Sequence, residues 1–72
     1  MFPNPTKGEV IVNEKNITSI EVYDLIGQKI LSNTYKVETS LINLDLKKEK
    51  PGVYFLKIIT NKGSTSKKVI LL

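Results

Sequence analysis

Short runs in which apolar and polar residues alternate recur along the whole chain, and no stretch keeps a helical period. The runs are about five to nine residues long, return about every ten residues, and are separated by turn residues. This spacing is typical of antiparallel sheets packed face to face, and no connection is long enough for the crossover helix that parallel strands need. The pattern therefore predicts an all-β fold, a small antiparallel, immunoglobulin-like β-sandwich with about six to seven strands.

The longest apolar run, residues 51–59, predicts the central strand of this fold. Pro51 and Gly52 form a turn signal before it, and β-branched and aromatic residues fill it. One face should enter the core, with a tyrosine hydroxyl directed back to a turn backbone group. That face carries Tyr54, Leu56 and Ile58.

The opposite face of the central strand is also largely apolar. It carries Val53, Phe55, Lys57 and Ile59. A single small sheet does not obviously cover this area. We expect a second sheet, a partner or a second copy of the domain to do so.

Three earlier alternations predict strands at residues 9–13, 18–23 and 28–32. Asp24 at the first position of the second connection and Gly27 at the fourth fit a type I turn with a left-handed glycine, so strands two and three should pair antiparallel. Residues 33–40 either extend strand three through Tyr35 and Val37 or form a separate short strand. Ile20 and Val22 are expected to point inward, whereas in strand one Val10 and Val12 share one face and Ile11 lies on the other.

The remaining pattern predicts two more strands around the central one. Residues 41–46 alternate cleanly, with Ile42, Leu44 and Leu46 expected in the core. Residues 47–52 form a charged loop, interpreted as a solvated loop or alternatively as an anion-binding patch. Residues 61–63 are a hairpin turn, and residues 64–72 form the last strand.

The first segment is rich in turn chemistry. Pro3 and Pro5 stiffen the backbone, Asn4 and Thr6 can hydrogen-bond back to the chain, and Gly8 permits a positive φ. Local physics favours a rigid lead-in that aligns the first strand. Because the chain starts abruptly at this turn with no secretory leader, we expect it to be a piece of a longer secreted protein.

Composition excludes most catalytic chemistry. The 72 residues contain neither Cys nor His, which removes thiolate sites, the usual zinc ligand and the usual general base. No carboxylates have metal-ligand spacing, and no glycine-rich loop cradles phosphate. We therefore expect one domain, no cofactor and no metal, and not an enzyme.

The net charge of +4 raises the question of an anionic partner. All eleven basic residues are Lys, and Arg supplies most bidentate contacts to bases and phosphates. The lysines are also spread along the chain. A solvated surface is the favoured interpretation, and nucleic acid is not expected as a partner.

Four motifs, in this order, resemble a known family. They are a Pro-Asn-Pro start with a following glycine, a strand ending in Tyr-Asp-x-x-Gly, a Gly-x-Tyr-x-x-Lys strand, and a tail of paired lysines and aliphatic residues. Together they make the chain similar to the type A C-terminal sorting domains of the type IX (Por) secretion system of Bacteroidetes. The motif residues are Pro3, Asn4, Pro5, Gly8, Asp24, Gly27, Gly52, Tyr54, Lys57, Lys67, Lys68, Val69, Ile70, Leu71 and Leu72.

The resemblance implies a targeting function for residues 1–72. A cargo protein would lie N-terminal to this domain, and the translocon would recognise the domain in the periplasm and carry the cargo across the outer membrane. A surface sortase would then remove the domain, leaving the cargo at the cell surface or outside the cell. The domain would itself be a substrate and a ligand.

Two hypotheses concern how the secretion machinery recognises and processes the domain. The last strand has no following segment to cover it, so the machinery could add a strand there, with Lys67 and Lys68 giving charge specificity. Alternatively, this strand only completes the sandwich. The second hypothesis is that residues 3–8 position the cleavage junction just upstream of the folded domain. An uncovered last strand also predicts an edge-to-edge homodimer.

The alternative function is a carbohydrate- or cell-surface-binding β-sandwich. It needs an exposed aromatic platform on which sugar rings stack. Tyr23, Tyr35 and Phe55 are the candidates, and finding them buried or scattered would discount this function.

Overall fold

The computed structural model describes residues 4–72, apart from the side chains of residues 37 and 38, and this part of the chain contains six β-strands and no helix. No described segment is therefore a helix long and apolar enough to cross a membrane. The all-β class and the strand number agree with the prediction. The strands are β1 (Glu9–Val12), β2 (Ile17–Tyr23), β3 (Lys29–Thr39), β4 (Ile42–Asp45), β5 (Gly52–Thr60) and β6 (Gly63–Leu71).

The strands form two sheets. β1 pairs with β4, and the second sheet has the order β3-β2-β5-β6, in which β5 is an inner strand as predicted. All strand pairs are antiparallel. The exception lies outside the strands, where Thr6 forms an isolated parallel bridge with Leu71.

One hydrophobic core joins the two sheets into a sandwich. Alternation along each strand places one side chain in two toward this core, and every position predicted to point inward is buried. β1 and β4, with the residue after β4, contribute Val10, Val12, Ile42, Leu44 and Leu46. The four-stranded sheet contributes Ile17, Ile20, Val22, Tyr54, Leu56, Ile58, Val69 and Leu71.

β3 runs through the region that the sequence pattern left undecided. Of the two alternatives for residues 33–40, extension of strand three is the observed one, because β3 continues to Thr39 without a break. Its pairing with β2 contains two register shifts, which interrupt the clean alternation that a sequence pattern needs. Tyr35 on this extension is half-buried and packs against the core.

The turn between β2 and β3 has the predicted chemistry. Asp24 and Gln28 pair through the Asp24 N–H and the Gln28 carbonyl at 2.9 Å, and the Gly27 N–H donates to the Asp24 carbonyl at 3.1 Å. Gly27 has a φ of 88°, a left-handed conformation that favours glycine. This turn fixes the antiparallel register of the hairpin.

Candidate functional site at the motif end

Segments that are far apart in the sequence meet at one end of the sandwich. The register places Tyr23 opposite both Lys29 and Phe55, and Gly52 opposite Leu71. On the other sheet, the Leu46 N–H donates to the Gly8 carbonyl at 2.7 Å. We call this region, formed by residues 4–8, 24–27, 46–52 and 68–72, the motif end.

Asn4 ties the first segment to the last strand. Its side-chain Nδ2 donates to the Lys68 carbonyl at 2.7 Å, and its Oδ1 accepts from the Ile70 N–H at 3.0 Å. The amide therefore does for β6 what the backbone of a neighbouring strand would do. Pro5 follows through a cis peptide bond and is exposed, whereas Pro3 lies outside the described residues.

Thr6 continues the pairing with β6 through its backbone. Its N–H donates to the Ile70 carbonyl at 2.9 Å, and its carbonyl accepts from the Leu72 N–H at 2.8 Å. The side chain is buried, with its hydroxyl bonded to the Glu9 carbonyl and accepting from the Gly8 N–H. The predicted local bonding of Thr6 is thus confirmed.

The edge of β6 is consequently not open at its end. The prediction that no segment covers the last strand was wrong for residues 68–72, because residues 4–6 pair with that edge. The covering segment comes from the other end of the chain. The prediction considered only residues that follow β6 in the sequence. Strand addition at this place requires that Asn4 and Thr6 leave first.

Gly8 allows the chain to pass from the four-stranded sheet to β1. Its φ is 151°, and a Cβ at this position would lie 2.6 Å from Cγ of Lys47. Lys47 itself pairs with Glu9 through a 3.1 Å contact between Nζ and Oε1. A side chain at position 8 would thus strain the backbone and displace Lys47.

Asp24 holds the turn that carries the second motif. Its Oδ1 accepts from the N–H groups of Ile26 at 3.1 Å and Gln28 at 2.8 Å. The carboxylate is therefore committed to backbone groups of its own turn. Asp24 and Gly27 together explain the turn without any reference to Leu25 and Ile26.

Tyr54 holds the loop that carries the third motif. Its ring is buried in the core, and its hydroxyl donates to the Lys50 carbonyl. The predicted hydrogen bond to a turn backbone group is confirmed. Burial, followed by the charges of Glu49 and Asp24, raises the pKa of the Tyr54 phenol above its ordinary value. Gly52 is exposed and starts β5, since Pro51 lacks the N–H that a central strand needs.

The tail motif alternates between the core and the surface. Val69 and Leu71 are core residues, whereas Ile70 and Leu72 are exposed. Lys68 is exposed on the outer face of the four-stranded sheet, opposite Phe55. Lys67 is paired with Glu14 through a 3.9 Å contact, so its charge is directed toward the body of the domain.

A small polar cluster lies on the outer face of the four-stranded sheet. Oε1 of Glu21 accepts from the Tyr23 hydroxyl at 2.8 Å, and Oε2 contacts Nζ of Lys29 at 3.2 Å. These two contacts lower the pKa of Glu21, with the tyrosine hydrogen bond as the larger cause and further help from the charge of Lys57. Lys57 lies opposite Glu21 in the register and is half-buried.

The three aromatic candidates do not form one platform. Tyr23 and Phe55 are directly opposite each other on the outer face, and Nζ of Lys29 lies 6.0 Å from the centre of the Tyr23 ring. Tyr35 packs against the core instead. The carbohydrate-binding alternative therefore loses one of the rings on which it depended.

The described residues offer no group of three or more acidic side chains placed to hold a metal ion. Asp24 and Glu21 are both bonded to neighbouring groups, as described above. Most motif residues have structural roles, since they close turns, cover the edge of β6 or fill the core. The motif end is therefore a surface of defined shape to which a partner can bind.

The arrangement defines a β-sandwich module in which motifs from both ends of the sequence are assembled by folding. Residues 1–72 match the family model described as the secretion system C-terminal sorting domain. The chain belongs to this family, the C-terminal sorting domains of type IX secretion. Comparison with curated proteins gives no match.

Proposed function

We propose that this domain acts as the C-terminal sorting signal that membership of its family implies, with a cargo N-terminal to it and export by type IX secretion to the cell surface or the extracellular space. Domains of this family are generally non-catalytic.

We propose that the secretion machinery recognises this domain in its folded form in the periplasm and that a surface sortase then cuts the protein N-terminal to residue 1. The observation that carries the proposal is the pairing of Asn4 and Thr6 with β6. Through this pairing, the first and last motifs become neighbours only when the domain is folded. An unfolded chain presents them more than sixty residues apart.

The test is a fusion of residues 1–72 to a fluorescent protein that carries its own secretory signal peptide, expressed in a bacterium with the type IX system. We expect fluorescence at the cell surface or in the medium. Retention of the wild-type fusion in the periplasm would contradict the proposal. A fusion without residues 68–72 is the control. Circular dichroism of the shortened domain distinguishes loss of recognition from loss of folding.

The cleavage hypothesis concerns the junction that precedes the first motif. Asn4 and Thr6 are bonded to β6, so the start of the described part of the domain has a fixed place on the sandwich. We propose that this fixed place helps to present the junction to the sortase. Replacing Pro3 and Pro5 with alanine should slow processing of the fusion, and unchanged processing would argue against it.

The two lysines of the last strand differ in their availability to a partner. Lys68 is free for a partner on the outer face, whereas Lys67 is engaged with Glu14. We expect Lys68→Gln to reduce export more than Lys67→Gln does. Equal export of both variants at the wild-type level would contradict a role for these charges.

A further inference from the structure

Five apolar side chains form an exposed surface at the motif end. Leu25 is 68% exposed, Ile26 is 85% exposed, and Phe55 and Ile70 are each 37% exposed. The fifth, Val53, is half-buried between them. We call Leu25, Ile26, Val53, Phe55 and Ile70 the outer apolar patch.

The patch is continuous although its members come from three parts of the chain. Val53 lies directly opposite Ile70, and Phe55 is the diagonal neighbour of Ile70 on the same face. Leu25, Ile26 and Val53 line one shallow depression beside the turn, together with Pro51 and Gly52. Val53 therefore joins the sheet half of the patch to the turn half.

Folding does not account for the apolar character of the patch. Asp24 and Gly27 already fix the turn. Leu25 and Ile26, at the two central positions of the turn, are the most exposed residues of the patch. Phe55 and Ile70 alternate with Leu56, Val69 and Leu71, which supply the core. Single exposed apolar residues are ordinary, but a continuous set on one face marks a contact surface.

The charges beside the patch show what kind of surface it fits. Lys68 lies opposite Phe55 and Lys57 follows two residues after Phe55 on the same face, whereas Lys29, opposite Tyr23 in the same row, is paired with Glu21. The nearby carboxylates, Glu21 and Asp24, are engaged by Tyr23, Lys29 and turn N–H groups. The uncompensated charge at the rim is positive.

A second copy of the chain and a lipid surface fit this face less well. Two copies that met face to face would bring these lysines together, which costs free energy. Binding to a lipid surface grows with the apolar area that it buries. The far half of this face offers little such area, because the half-buried Ile59 is accompanied there by Ser19, Ser32, Thr34, Ser64 and Ser66.

We propose that the outer apolar patch docks onto a protein surface that has an apolar centre and carboxylates around it, and that this partner is part of the secretion machinery. The inference rests on the proposed function and names the surface that the machinery contacts. It differs from strand addition at β6, because it uses side chains on a sheet face and leaves Asn4 and Thr6 in place.

The test compares exposed apolar residues inside and outside the patch in the reporter fusion. Ile26→Asp changes a turn position in the patch, and Phe55→Thr with Ile70→Thr changes the sheet half while keeping strand-compatible residues. Leu41→Asp is the matched control, because Leu41 is 64% exposed and lies between β3 and β4 at the other end. We expect the patch variants to lower export about tenfold or more, and Leu41→Asp to leave export unchanged.

A charge arm tests the partner's chemistry. Lys57→Gln with Lys68→Gln should lower export, whereas Lys15→Gln with Lys62→Gln, the same change in net charge at exposed positions, should not. Circular dichroism and denaturant unfolding of each variant chain confirm that the fold is retained.

Different failures have different meanings. If the wild-type fusion stays in the cell, the proposed function falls, and the docking surface falls with it. If the wild-type fusion is exported and the patch variants match Leu41→Asp, only the docking surface is overturned. Sedimentation showing a wild-type dimer that Ile26→Asp dissociates, or binding to phosphatidylglycerol vesicles that Ile26→Asp abolishes, would assign the patch to a second copy or to lipid and overturn it equally.

Discussion

The two faces of the four-stranded sheet are both apolar near β5, yet the rest of the domain covers only one. Leu56 and Ile58 on the inner face have no exposed surface, whereas Phe55 on the outer face keeps 37% of its surface in solvent. The sequence pattern of β5 looks similar on both sides. The difference teaches that similar apolar patterns on the two faces do not have the same use: the inner face fills the core, and the outer face is the one to which we assign the docking surface.

The largest expected effect comes from truncating one residue on each face. Leu56→Ala should lower the free energy of unfolding by about 2–5 kcal/mol, because it leaves a cavity in a closed core. Phe55→Ala should cost about 1 kcal/mol, since solvent can fill the space. Denaturant unfolding measures both. Equal losses would show that the outer face is as much part of the core as the inner one.

Much of the inner face could be predicted from the sequence. Alternation directs Ile20 and Val22 inward, and turn chemistry assigns roles to Asp24 and Gly27, because these signals are local. The contact of Asn4 with β6 has no local signal, since it joins residues 64 and 66 positions apart. The resemblance to a family identifies Asn4 as a motif residue, but its hydrogen-bond partners on β6 come from the structure alone.

The next effect concerns the outer edge of β6, which residues 4–6 cover and which borders both faces of the sheet. Asn4→Ala removes two hydrogen bonds and should cost about 1–2 kcal/mol. Asn4→Asp keeps the acceptor for Ile70 but turns a carboxylate oxygen toward the Lys68 carbonyl, an acceptor, and should cost at least as much as alanine. Amide hydrogen exchange at Ile70 and denaturant unfolding measure this. Asn43→Ala, at an exposed position of β4, is the control and should have little effect.

A smaller effect is expected from the hydroxyl of Tyr54 at the rim of the inner face. Tyr54→Phe loses the bond to the Lys50 carbonyl and should cost about 1 kcal/mol. Burial raises the pKa of Tyr54 above its ordinary value of 10.0, so its contribution to stability is complete below pH 10.0 and is lost as the pH rises through the folded-state pKa.

Unfolding free energies measured from neutral to alkaline pH test this dependence. The difference between wild type and Tyr54→Phe should be constant at lower pH and shrink above pH 10.0. A difference that stays constant throughout would contradict the raised pKa. Tyr35→Phe, which removes the hydroxyl of a half-buried ring, is the control.

The smallest effect is expected on the outer face at Glu21. Contacts with the hydroxyl of Tyr23 and the ammonium of Lys29 lower its pKa below the ordinary 4.5. The stabilisation is therefore present above pH 4.5 and is lost as the pH falls through the folded-state pKa. Glu21→Gln should flatten this acid-side dependence in unfolding experiments while changing neutral-pH stability only slightly. If Glu21→Gln leaves the acid-side dependence of stability on pH unchanged, the cluster does not contribute to stability in the way proposed.

The pairing of residues 4–6 with β6 also has a mechanical consequence. The two segments run parallel, and four hydrogen bonds link Asn4 and Thr6 to residues 68–72. A pull on the chain upstream of Asn4, against a grip on the end of β6, slides the two segments past each other. Such a load falls on the four bonds together as shear and does not open them one after another, so tension from the cargo side is borne at the place where the domain is closed.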